Sequence, residues 1–287
     1  MDDAAARWDH HVDTYSRLFA PLTGFLGEAM VRIAEPRIRP FSHVLDVACG
    51  PGAVAVHALR RARGEALAPG AEGRRGRVVA TDFSQGMVEA ARRAAAASGD
   101  TALFHAEVHD GQALGFADGS FDAVFSSFGI FLFADRVAGW REAARVLRKG
   151  GVLGTTVWRG PVENPMLSAQ MAPVMAALPE RLRSQPARSW IDIAEPEALV
   201  REVSASGDFV DVEVHVLRAS IVLPSPVATW EAMLDNPVMG VLLAACTPSE
   251  LSAVRDSVVA SFETRAGGPG RPFVLDASCH ALVATKA

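Results

Sequence analysis

The chain has 287 residues and a mass of 30.4 kDa, is 49% hydrophobic and 21% charged, and carries a net charge of −5 with a pI of about 5.9. A chain of this length can bury roughly 75% of the surface its unfolded form exposes, which excludes extensive disorder, and the acidic balance argues against a dedicated nucleic-acid binder, which needs a basic face. The longest apolar run, near Val238–Cys246, is far short of the ~20 residues of a membrane-spanning helix, and the acidic, then aromatic start MDDAAARWDHH does not read as a secretory signal.

Short β-branched runs alternate with longer Ala-rich stretches through the first half, which predicts a parallel sheet with helices on both faces. The first strand is predicted over Val44–Ala48, followed by a helix from Gly52 to Arg63. Residues 64–76, GEALAPGAEGRRG, read as a surface loop that could be shortened without loss of activity. A second strand covers Arg77–Thr81 and ends at Asp82. Ser84 then reads as the N-cap of a helix that runs to Ala97 and stops at Ser98-Gly99-Asp100. Strands follow at Ala102–Ala106 and Ala123–Ser126, then a helix over Arg136–Leu147 stopped by Lys149-Gly150-Gly151, and a fifth strand over Val152–Trp158.

Residues 159–194 are rich in Pro, Met and Arg, with a helix over Met166–Leu182 broken at Pro173 and Pro179. A second block predicts helix Glu197–Ala205, strand Phe209–Leu223, helices Ala228–Leu234 and Ser249–Thr264, and a last strand over Phe273–Thr285. The expected organisation is an N-terminal helical lid (1–35), a core (36–160), a helical insertion (161–194), more core (195–224), a second helical insertion (225–265) and the final strand (266–287). Both insertions are expected to roof a ligand site, with Met166, Met171, Met175, Trp190, Trp230, Met233, Leu234, Met239 and Leu242 either lining it or forming their own core. Cys49, Cys246 and Cys279 are odd in number and far apart, so reduced thiols in the cytoplasm are expected, with no disulfide framework and no metal site.

The stretch Val44-Leu45-Asp46-Val47-Ala48-Cys49-Gly50-Pro51-Gly52 is the most informative. An apolar strand ends in a glycine turn that opens a helix, where positive φ and unpaired N–H groups suit a nucleotide-like or carboxylate-bearing ligand. Gly50-x-Gly52-x-x-Ala55 also satisfies the dinucleotide fingerprint. Asp46, inside the strand, points elsewhere: an acid there suits a cofactor with an α-ammonium group.

VLDVACGPG, ATDFSQGMVEAAR, HDGQALGFADGSFDAVFSS and EAARVLRKGGVL occur in the order and spacing found in class I S-adenosylmethionine-dependent methyltransferases. Over about residues 40–160 the chain most resembles the subgroup that includes the ubiquinone and menaquinone biosynthesis enzymes and many natural-product methyltransferases. The resemblance implies a Rossmann-like α/β fold with a seven-stranded, mostly parallel sheet, and S-adenosylmethionine as cofactor. It implies that Gly50 and Gly52 lie under the methionine part, with Ala48 lining the turn, and that Asp82 holds the ribose hydroxyls. Phe83 and Met87 read as adenine cover or as ordinary helix packing. Asp110 and the Gly111 backbone meet the adenine amino group, and Ser127 and Phe128 face the reacting centre. Tyr15, the only tyrosine, contacts the cofactor from the N-terminal helix or simply packs there.

Methyl transfer from a sulfonium is an in-line displacement that needs alignment more than a catalytic side chain. An oxygen or carbon nucleophile often needs a base, for which His10, His11 and His109 are the foremost candidates, ahead of His105, His215, His280 and Asp192. The expected acceptor is small and partly apolar. O-methylation is favoured, with N- and C-methylation open; neither nucleic acid nor a membrane span is expected, and a homodimer is left open. Other readings are a same-fold protein catalysing a cyclisation or decarboxylation, a non-catalytic partner subunit and an NAD(P) oxidoreductase.

Overall fold

HVLDV, RVVATD and FDAVFSS are apolar on both sides of the pleat, so each strand needs cover on both faces. The computed structural model, which describes residues 2–40, 42–66, 75–99, 101–183 and 190–287, provides it. Strands β1 (His43–Val47), β2 (Arg77–Asp82), β3 (Phe104–Val108), β4 (Phe121–Ser127), β5 (Leu147–Trp158), β6 (Phe209–Leu223) and β7 (Phe273–Lys286) form one sheet in the order β3-β2-β1-β4-β5-β7-β6. The first five strands are parallel, and β7 runs antiparallel between β5 and β6. Alternate residues feed the two faces. Leu45, Val124 and Leu153 join one core, around the fully buried Trp140; Val44, Ala123 and Phe125 join the other, with Leu59 and Val88. This is the expected seven-stranded, mostly parallel α/β fold. Strand order reverses between β1 and β4, so the crevice at their carboxyl ends is where such a sheet accepts a ligand.

Helices α1 (Asp2–Thr14) and α2 (Ala20–Ala34) precede the sheet, joined by a π-helical turn at Tyr15–Phe19. Between strands lie α3 (Ala53–Ala66), α4 (Gln85–Ala97) and α5 (Arg136–Val146). After β5 come α6 (Pro165–Ala177), α7 (Glu180–Arg183) and α8 (Pro196–Ser206). After β6 come α9 (Pro226–Asp235), α10 (Met239–Leu243) and α11 (Pro248–Ala266). None of the described helices is long and apolar enough to cross a membrane.

Ser84 caps α4 as expected, its Oγ accepting from Met87 N at 3.1 Å. The same helix start anchors α1: Asp9 Oδ1 accepts from Ser84 Oγ at 2.5 Å and from Gly86 N at 2.8 Å. An acid at a helix N-terminus meets unpaired N–H groups and the positive end of the dipole. Gly86 is small for this docking, since a Cβ there would lie 2.9 Å from Val12 Cγ2.

Three local expectations need correction. Lys149-Gly150-Gly151 does not stop the helix; α5 passes directly into β5, and these residues lie in the strand, where the β4–β5 register shifts and Gly150 takes φ +72°. Pro173 does not break α6. Packing along α11 holds the helix through it, and Ser257 Oγ donates to the Pro173 carbonyl at 3.0 Å. The break falls at Pro179, between α6 and α7. The third strand begins two residues late, at Phe104. Asp100 and most of the 64–76 loop lie outside the described residues.

Gly52 has φ +88°, and a Cβ there would lie 2.9 Å from Ala91 Cβ and 3.0 Å from its Cα, on α4. Gly52→Ala is therefore expected to lower unfolding free energy by about 1–3 kcal/mol. An unchanged urea midpoint would remove this steric reading.

Candidate active site

The turn after β1 is built around two acids. Ala48 and Gly50 both take left-handed conformations, φ +54° and +52°. Cys49 N donates to Thr81 O at 2.9 Å, which lashes the turn to β2. Gly50 N donates to Asp82 Oδ2 at 2.9 Å, and Ser84 N to Asp82 Oδ1 at 3.0 Å. Asp82 thus holds backbone donors on both of its oxygens, and the Phe83 N–H adds a third. Asp46 Oδ2 accepts from Ala55 N, in the first turn of α3, at 2.9 Å. Both acids are almost completely buried.

Burial shifts these groups from the ordinary carboxylate value of 3.8. It raises Asp46 to about 8, opposed by the Ala55 hydrogen bond and reinforced by the Asp82 charge. It raises Asp82 to about 6, opposed by bonds from Ser84, Gly50 and Phe83 and reinforced by Asp9. Cys49 is pushed well above the ordinary thiol value by burial and by both acids.

The turn forms one end of a cavity of about 960 Å³, at the upper end of the ~300–1,000 Å³ usual for small-molecule sites. Asp46, Ala48, Gly50, Asp82, Phe83 and Met87 line this end, with Tyr15 above and Asp110 and Gly111 beside it. A Cβ on Gly50 would meet only Tyr15, at 3.8 Å, so the space over the turn is open. Asp110 Oδ1 accepts from the backbone and side-chain nitrogens of Gln112, each at 2.9 Å. Tyr15 Oη lies 3.0 Å from Thr23 Oγ1, whose own proton goes to the Phe19 carbonyl.

The other end is aromatic. Phe128, Phe131, Leu132 and Phe133 line it, together with Trp8, Pro237 and Val238. Phe128 sits at φ +56°, a strained angle for its type. Its N–H donates to Thr156 Oγ1 at 3.0 Å and its ring stacks on Trp158 at 4.0 Å, which hold it there. Ser127, whose Oγ lies 3.1 Å from Thr156 Oγ1, joins the two ends. At the rim, Arg136 is bound by Glu202 and Asp192.

Most sequence-predicted residues meet at this cavity; some do not. Gly52 is turned away, its Cα packed on α4. His11 is fully buried behind the wall, and His10 is exposed outside it; neither lines the cavity. His109 does line it, but Gly115 N donates to its Nδ1 at 3.4 Å, Glu107 faces its Nε2 at 3.5 Å, and its ring stacks on Phe116. Of the three, His109 alone reaches the cavity wall. Of the two readings open for the methionine and tryptophan stripe, Met166, Trp230 and Met233 follow the second: they are core residues and line no part of the cavity. The Trp190 side chain lies outside the described set. Sequence reasoning missed Phe131, Leu132, Phe133 and Pro237-Val238. The signal for the first three was the aromatic run FGIFLF directly after β4.

A family model for a methyltransferase domain matches residues 44–151. A demethylmenaquinone methyltransferase of Corynebacterium efficiens is 34% identical over 216 residues, covering 71% of this chain and 85% of that protein. One from Parafrankia sp. is 35% identical over 215 residues, covering 68% and 78%. Among solved structures, a Bacillus halodurans protein described as a methyltransferase superposes with TM-score 0.56 at 18% identity, over 90% of this chain and 97% of that chain. The cyclase SpnF superposes with TM-score 0.50 at 22% identity, over 90% and 81%. At such identities these two show a shared fold alone.

The raised acids make stability depend on pH. Between pH ~4 and ~8 the folded chain holds protons on Asp46 and Asp82 that the unfolded chain has released, so stability falls as pH rises through that window. Urea midpoints should therefore decline from pH 5 to pH 8, and Asp46→Asn should flatten much of the decline. A midpoint in the variant that tracks the wild type at every pH would contradict this assignment.

Proposed function

Because the chain belongs to the class I S-adenosylmethionine-dependent methyltransferases, we propose that it methylates a small, partly apolar, quinone-like aromatic acceptor. One observation carries the reading: a single cavity joins the acid-lined glycine turn to a wall of aromatic side chains. The residues at the turn fit the cofactor. Asp82, at the cavity with three backbone donors holding it in place, is the acceptor for a pair of ribose hydroxyls, Asp46 supplies a buried acid for an ammonium group, and the open space over Gly50 allows close backbone approach. Phe83 and Met87 would cover the adenine, with Asp110 and Gly111 at its edge. When bound, the cofactor supplies an activated methyl group.

The protein's own contribution is to bind, align and exclude water. The aromatic wall suits a flat apolar ring, and the relatives named for demethylmenaquinone favour a quinone type. Of the three foremost candidate bases, only His109 lines the cavity. The expected preference for oxygen has no support at the site. The methylated atom is read from the product. S-adenosylhomocysteine appearing in step with that product separates methyl transfer from a same-fold cyclisation.

Calorimetry tests the cofactor site. S-adenosylmethionine and S-adenosylhomocysteine should bind, and NADH should not. Asp82→Ala should weaken S-adenosylmethionine by about 1–3 kcal/mol, the scale of lost charge-assisted hydrogen bonds. Binding to ionised Asp46 and Asp82 should expel protons near neutral pH, so wild-type affinity should rise from pH 6 to pH 8. A binding enthalpy independent of buffer ionisation heat at pH 7 would contradict that linkage, and undiminished affinity in a folded Asp82→Ala would remove Asp82 from the site.

A further inference from the structure

Helix α1 meets three neighbours on three faces. Asp9 and Val12 meet α4. Ala4 and Trp8, with Tyr15 in the turn that follows, face the cavity. His10, His11 and Thr14 meet α9, and all three converge on Asp235, the last residue of that helix. His11 Nδ1 lies 2.8 Å from Asp235 Oδ2, across 224 residues of sequence. The His11 ring is fully buried, with the rings of Trp8 and Tyr15 each 6.0 Å away and that of Phe19 at 6.4 Å. Burial holds His11 below the ordinary histidine value; Nδ1 faces the Asp235 carboxylate as its donor, and Nε2 has no protein partner among the described residues. Two residues beyond Asp235 the chain reaches Pro237 and Val238, which line the cavity. One carboxylate therefore joins the two covering pieces of chain, and its ring partner packs against two cavity-lining aromatics, Trp8 and Tyr15, whose own rings meet edge to face at 5.8 Å.

We propose that Asp235 and His11 form a positioning couple for methyl transfer, fixing Trp8 relative to Pro237 and Val238 and so setting the width of the acceptor end. The couple rests on the function proposed above only for what the cavity holds. A misplacement of about 1 Å at a reacting pair can cost roughly a hundredfold in rate, so a buried hydrogen bond between the two covers is a sensitive place to control alignment. The orphaned Nε2 is sealed from the cavity, which suits a group that holds others in place. A general base would have to reach the acceptor.

The test uses the full chain and three variants. His11→Phe keeps a ring and removes the donor. His11→Asn keeps an N–H for Asp235. Asp235→Asn keeps an acceptor for His11. Amide exchange over residues 4–15 is followed by mass spectrometry without ligand, and acceptor KM and kcat are measured with S-adenosylmethionine and reduced demethylmenaquinone as the probe. His11→Phe should speed exchange over 4–15 and raise acceptor KM about tenfold, with kcat falling less. His11→Asn and Asp235→Asn should restore both readouts most of the way. Wild-type exchange together with wild-type KM in a folded His11→Phe would overturn the couple. So would a collapse of kcat in Asp235→Asn at unchanged KM, the mark of a base that needs a charged partner. If the wild type binds S-adenosylmethionine but leaves the probe unmethylated, the acceptor proposed above falls, while exchange over 4–15 still decides whether the couple exists.

Discussion

Two carboxylates kept almost out of water at the carboxyl edge of the sheet set the terms for everything around them. An ionised acid in such a place is tolerable only if donors reach it. The donors here are backbone N–H groups at the starts of segments: Gly50 and Ser84 for Asp82, Ala55 for Asp46. That requirement explains the left-handed turn at Ala48 and Gly50, the bond from Cys49 to the second strand, and the start of α3 directly behind the turn. The donors do not fully offset the burial, because both acids titrate well above their ordinary value. A site left in that state favours a ligand bringing positive charge or hydroxyl donors, the chemistry an amino-acid nucleoside offers.

Much of this was legible because it is local. A glycine turn between strand and helix, an acid four residues before it and another at the end of the next strand are all written in short stretches. The strands followed from apolar runs too β-branched to be helix. Boundaries slipped where a neighbour decided them: Gly150 reads as a helix stop, yet β4 pairs with Leu147 on one side of it and Val152 on the other, and Gly150 falls in the register shift between them. Pro173 reads as a helix breaker, yet α6 packs on α11 across it.

The acceptor end was harder to read, for a physical reason. A methionine or tryptophan at helical spacing serves a core and a ligand wall equally well, and only the tertiary arrangement decides. Met166, Trp230 and Met233 went to the core. The wall came instead from Phe131 to Phe133, held beside the turn because Gly111 has no Cβ to meet the Phe133 ring, which would otherwise lie at 2.5 Å. Gly52 shows the same ambiguity in the opposite sense. It satisfies a cofactor motif, but the smallness it supplies is used by Ala91 of α4.

Helix α1 illustrates why its aromatic and polar residues fall at mixed spacings. A surface helix with one buried face has one apolar stripe; this one has three neighbours, and each asks for different chemistry. The start of α4 has unpaired N–H groups, so it takes an acid, Asp9. The end of α9 presents an acid, Asp235, so it takes donors, His11 and Thr14. The cavity takes Trp8 and Tyr15. Pinned by an acceptor on one side and by donors on the other, the helix is held by directional bonds as well as by apolar contact. Apolar contact alone would let it slide, and a cover that slides cannot keep the Trp8 and Tyr15 rings at fixed places on the cavity wall.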